Sequence, residues 1–98
     1  MKPFRSESYR RFVASHACFN CDIEGYSQCA HANGGGMGTK TSDLETFPLC
    51  AARPGEMGCH ARFDHCVGIG KHGREILTLK YVARMQDIAR KAGRKEFA

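Results

Sequence analysis

The clearest periodicity lies toward the end of the chain. Leu77, Tyr81, Met85, Ile88 and Ala92 recur at spacings of three and four, with Arg or Lys filling much of the rest. This predicts an amphipathic helix over about 75–92, stopped by Gly93. Near the start, residues 6–15 predict a shorter helix, capped by Ser6 or Ser8, with Tyr9, Phe12 and Val13 facing inward. Between these ends the pattern changes. Residues 26–32 and 44–49 read as short strands, with Pro48 near the end of the second. A short helix is expected from Cys59 through His60, Phe63, Asp64 and Cys66 to Val67, halted by Gly68 and Gly70. The connections are a Cys18-Phe-Asn-Cys21 knuckle, a Gly-rich loop over 33–43 and a Pro- and Gly-punctuated loop over 51–58. The order predicts an α+β domain spanning 1–98, with its core at about 18–67 and flanking helices.

Composition narrows the picture. A chain of 98 residues, 42% apolar and without Trp, has room for one thin core. No apolar run approaches the roughly 20 residues of a membrane span, so no membrane partner is expected. The opening MKPFRSESYR lacks the apolar stretch of a secretory signal. A cytoplasmic location follows as an expectation. Six cysteines could make a disulfide scaffold, but without a signal a Cys-x-x-Cys pair points to a metal site. The net charge of +5 is uneven: residues 1–17 carry +3, 18–70 carry −3 and 71–98 carry +5. Basic ends around an acidic, cysteine-bearing middle suit a polyanion held by the ends and cations held in the centre.

Cys18 and Cys21 form half of a tetrahedral site, and Cys50 and Cys59 are the best candidates for the other half. Four thiolates leave Zn²⁺ no open position, which makes such a site structural. In so small a domain that ion would decide folding. The gap between Cys50 and Cys59 is wider than the usual spacing, and His60 could replace one of the cysteines. Cys29 and Cys66 remain as packing residues.

The segments CFNC, SQCAHANGGGMGTKTSDLETFPLC and GCHARFDH, in this order over about 18–66, resemble the HNH endonuclease family. More narrowly, they resemble its small phage and prophage members with a four-cysteine zinc site. The resemblance implies a ββα-metal fold, two strands and a helix around one divalent ion, and the hydrolysis of phosphodiester bonds in DNA. It places His31 as general base, suited to the task by its near-neutral titration range. Asp43 falls where the family usually has Asn and would hold the base. His60 would ligate Mg²⁺ or Mn²⁺, with Asp64 one helical turn on as second ligand. His65 is the alternative to Asp64. Ala30 departs from the pattern, since many members carry a third ligand there; water, Gln28 or Asn33 would complete the shell.

Lys40, among Gly34, Gly35, Gly36 and Gly38, lies on a loop whose backbone can approach a phosphate. Lys80, Arg84 and Lys91, with Arg94 and Lys95 beyond them, could follow a duplex backbone. Binding would then be salt-dependent and nearly indifferent to sequence. One catalytic site per chain implies nicking, by a monomer or a homodimer. Two other classes compete: a non-catalytic zinc module for nucleic acid or protein, and a thiol-based redox or metal-storage protein. His16 and His72 read as surface residues.

Overall fold

The computed structural model describes residues 4–32 and 42–97. Its elements are α1 (Glu7–Ala14), β1 (Ser27–His31), β2 (Thr46–Cys50), α2 (Cys59–Asp64), α3 (Gly70–Lys91) and a closing 3-10 turn, Lys95–Phe97. The expected α+β order is present. Of the two candidate caps for α1, Ser6 serves, its side chain accepting the Tyr9 amide at 3.1 Å. Tyr9 and Val13 are buried beneath it, and Phe12 is half-buried.

The strands form a two-stranded antiparallel sheet in which Gln28 faces Leu49, Ala30 faces Phe47 and His31 faces Thr46. Both strands differ by a residue or two from the expected bounds. β2 starts at Thr46 because residues 42–45 turn tightly, with Glu45 donating to the Ser42 carbonyl (3.0 Å) and the Thr46 hydroxyl to that of Asp43 (2.6 Å). Pro48 sits in mid-strand rather than near the end. It is tolerated there opposite Cys29, and its carbonyl accepts the Phe19 amide at 2.9 Å.

All five residues of β2 are buried, because α1, α2 and α3 all pack against this strand. The Phe47 ring lies 5.3 Å from both Phe63 of α2 and Tyr81 of α3, and Tyr81 in turn meets Phe19 of the knuckle at 5.7 Å. Each such buried side chain contributes on the order of 1.5–3 kcal/mol. The 3-10 turn returns to α1, setting Phe97 5.8 Å from Tyr9.

Three details of the helices depart from the sequence pattern. α2 ends at Asp64, not Val67, and Cys66 lies outside it with a φ of 56°. The Cys66 amide bonds Phe63 (3.1 Å) and the Val67 amide bonds Arg62 (2.8 Å), the paired closure of a helix end whose left-handed position glycine usually fills. Gly68 and Gly70 therefore stop nothing; Gly70 already opens α3. The first turn of α3 carries no apolar repeat, which hid it from periodicity. At the far end Ala89, one turn after Met85, is the buried residue, while Ala92 is the exposed C-cap. Gly93 does terminate the helix, at φ 75°. No helix among the described residues is long and apolar enough to cross a membrane.

Candidate metal and catalytic centres

Cys18, Cys21, Cys50 and Cys59 offer sulfur atoms that all lie within 4.8 Å of one another, the one such donor group among the described residues. Cys21 Sγ and Cys50 Sγ are 3.8 Å apart. A tetrahedron with metal–sulfur bonds of about 2.3 Å has edges of about 3.8 Å, so the cluster fits a thiolate-bound metal such as zinc. Backbone and side-chain donors point at the sulfurs: the Cys59 amide at Cys50 (3.2 Å), the Asn20 amide at Cys18 (3.4 Å) and Asn20 Nδ2 at Cys59 (3.2 Å). His60 faces elsewhere and takes no place in the cluster.

The wide gap between Cys50 and Cys59 closes because the loop doubles back. Arg53 and Glu56 exchange backbone hydrogen bonds at 2.9 and 2.8 Å, and Gly58 presses against the strand exit. A Cβ on Gly58 would stand 2.6 Å from the Ala51 carbonyl carbon and oxygen, and its φ is 85°. Gly58→Ala is therefore expected to displace Cys59, costing about 2–4 kcal/mol from strain and overpacking together. Chelator competition should show weaker metal retention and urea a lower midpoint; an unchanged pair of values would refute the loop's role.

Burial and neighbouring thiols push Cys59 up to about 12, against the Asn20 donation. Cys50 moves the other way: despite burial, donors from the Cys59 amide, Arg53 and the adjoining thiols bring it down to about 6. Uptake of a cation by the cluster would release protons from its thiols.

The second constellation lies at the far end of β1. His31 Nε2 is 3.0 Å from Asp43 Oδ1, and Asp43 is fully buried. Three further donors converge on its carboxylate: Arg5 (3.0 Å), the Ser6 amide (2.8 Å) and Arg10. Burial raises the carboxyl's pKa, but the bonds from His31, Ser6, Arg10 and Arg5 outweigh it and hold the group at about 2. An ionised carboxylate only accepts, so the proton of a neutral His31 must sit on Nε2, and Nδ1 keeps its lone pair. This is the tautomer a base needs.

The depressed pKa carries a stability consequence. Asp43 binds protons more weakly folded than unfolded, so its contribution is complete above about pH 4 and disappears as pH falls through about 2. A shift of this size corresponds to about 2 kcal/mol. Against Asp43→Asn, the zinc-loaded wild-type chain should be more stable by that order between about pH 6 and 8, where Asp43 is fully ionised and the thiolates keep the metal. Urea midpoints of the zinc-loaded chains across this range test it, and equal midpoints would contradict it.

His60 and Asp64 share a face of α2 as expected, with Nε2 and Oδ2 3.5 Å apart and both side chains partly exposed. The donors suit a divalent cation with open positions. Gln28 is not beside them as a ligand; its Oε1 accepts from His60 Nδ1 at 2.9 Å, fixing the ring so that Nε2 faces Asp64. His65, the C-cap, is exposed and falls off the shared face. Asn33 lies outside the described residues, as do the Gly-rich loop's glycines and Lys40. Among the described residues no hydrogen bond joins His31 to His60 or Asp64. Arg74 connects them instead, donating to the Ala32 carbonyl (3.3 Å) and the Phe63 carbonyl (3.2 Å) and standing 3.7 Å from Asp64 Oδ1.

On α3, Lys80 is exposed, while Arg84, also exposed, stacks over Phe19 at 4.1 Å. Lys91 pairs with Asp87 at 2.9 Å, and Arg94 is held by Glu96 (2.8 Å) and Ser8 (2.7 Å), so Arg94 is not the free basic residue expected beyond the helix. Cys29 is half-buried between Thr46 and Asp43, in keeping with packing. His72 is exposed, whereas His16 is half-buried, with Nδ1 2.8 Å from the Phe12 carbonyl. Sequence reasoning missed Arg5, Arg10, Asn20, Gly58 and Arg74. Asn20, inside the knuckle, and Gly58, just before Cys59, were the two with a local signal. No protein-family model, curated protein or solved structure matches the chain, which leaves the residues and their geometry as the ground for a function.

Proposed function

We propose that the chain is a small endonuclease of HNH type, a zinc-clamped ββα-metal domain that nicks DNA with little sequence preference. The observation that carries this reading is the buried, four-donor Asp43 holding His31 in its base-competent tautomer at the end of β1. Such a carboxylate is expensive to bury, and beyond its ties to Arg5, Arg10 and the Ser6 amide it orients the His31 ring.

In the proposed reaction His31 Nδ1 takes a proton from water as the water oxygen bonds to phosphorus. The bond from phosphorus to the 3′ oxygen breaks, that oxygen takes a proton from solvent water, and a 5′ phosphate and a 3′ hydroxyl remain. Asp43 keeps the imidazole aligned, its own charge balanced by Arg5 and Arg10. His60 and Asp64 would hold the Mg²⁺ or Mn²⁺. When bound, that cation neutralises the phosphate and the departing oxygen. The four cysteines would hold Zn²⁺ and take no part in the chemistry. Lys80 and Arg84 supply phosphate contacts from α3.

Zinc-loaded protein freed of other metals is expected to convert supercoiled plasmid to open circles on addition of Mg²⁺ or Mn²⁺. Asp64→Asn should require a higher cation concentration for the same rate. No conversion by a folded, zinc-loaded chain would instead favour a non-catalytic zinc module that contacts nucleic acid through α3.

A further inference from the structure

Arg74 is pinned on three sides. Nε donates to the Phe63 carbonyl, Nη1 donates to the Ala32 carbonyl, and the guanidinium lies 4.4 Å over the Phe63 ring. Its side chain is only 16% exposed. The remaining nitrogen is buried without a hydrogen-bond partner, 3.7 Å from Asp64 Oδ1. A surface arginine could swing away from an arriving cation, but one held by two backbone carbonyls and an aromatic face cannot. The fixed positive charge therefore offsets the single carboxylate of the ligand pair, which keeps little net negative charge with which to attract a divalent ion.

We propose that Arg74 is a positioning residue that keeps the His60–Asp64 pair weak for divalent cations until a phosphodiester supplies the missing negative charge. The inference rests on the nuclease reading for the roles of His60 and Asp64. Cation and nucleic acid then bind cooperatively, each raising the other's affinity by the same factor. The two carbonyl bonds add a second task. They set the spacing between the strand end carrying His31 and the helix carrying the cation ligands.

The test measures Mn²⁺ binding by electron paramagnetic resonance on zinc-loaded chains, with His60→Ala identifying the site. Arg74→Gln should bind Mn²⁺ about tenfold more tightly than wild type in the absence of DNA, yet nick more slowly at saturating Mn²⁺. Arg74→Met, whose stem still covers Phe63, serves if the first variant does not fold. The other arm leaves Arg74 in place. In a His31→Ala chain, which leaves the duplex intact, Mn²⁺ affinity should rise about tenfold or more when a short duplex is added. Unchanged or weaker affinity in the Arg74 variants overturns the proposal, as does tight Mn²⁺ binding by the free wild type. If no Mn²⁺ binds with or without duplex, this proposal and the nuclease reading both fall. If binding follows the expected pattern but plasmid is never nicked, Arg74's role stands and the nuclease reading alone fails.

Discussion

A chain stripped of zinc at neutral pH is expected to lose its helical signal and regain it with one equivalent of Zn²⁺. The four ligands tie together the segment after α1, the end of β2 and the start of α2. Structural zinc contributes on the order of 10–16 kcal/mol in small peptides, and the net stability of a domain is about 5–15 kcal/mol. The ion is thus large enough to set the balance by itself. Circular dichroism during chelator titration, with zinc counted by mass spectrometry, measures the effect. Cys50→Ser and Cys59→Ser should reproduce it, since each leaves three ligands and displaces the donors aimed at sulfur. Cys29→Ser should change the unfolding midpoint by no more than about 1 kcal/mol, because Cys29 lies outside the cluster. A fold that survives full zinc removal would refute the clamp.

His31→Ala is expected to reduce plasmid nicking by about 10²–10⁴-fold, the usual contribution of a positioned base. Stability should hardly change. His31 is 31% exposed, and after its removal Asp43 still receives Arg5, Arg10 and the Ser6 amide, so no buried charge is stranded. DNA affinity should also persist, because phosphate contacts from α3 do not involve His31. Nicking rates, zinc content and urea midpoints measured on the same preparation separate catalysis from folding. Cutting that persists at the wild-type rate would place the base elsewhere.

The sequence alone determined features that are local or chemical. The period of α3, the pair of serines that could cap α1, the Gly93 stop and the α+β order follow from residue type at short spacing. The four-cysteine set was legible because thiols at Cys18 and Cys21 need partners, and few candidates exist. The pairing of His60 with Asp64 was legible because a helix brings positions one turn apart onto the same face.

Tertiary structure decided what depends on chain segments meeting. A nine-residue reach from Cys50 to Cys59 becomes a clamp only because Gly58 can lie against Ala51 without a side chain. Asp43 stays ionised in the interior because His31 and, from more than thirty positions away in sequence, Arg5, Ser6 and Arg10 all donate to it. Arg74 reads as one more basic residue in a solvated helix until two carbonyls and an aromatic ring fix it beside Asp64. Hydrogen bonds and burial act over a few ångströms whatever the sequence separation, so no periodicity records them.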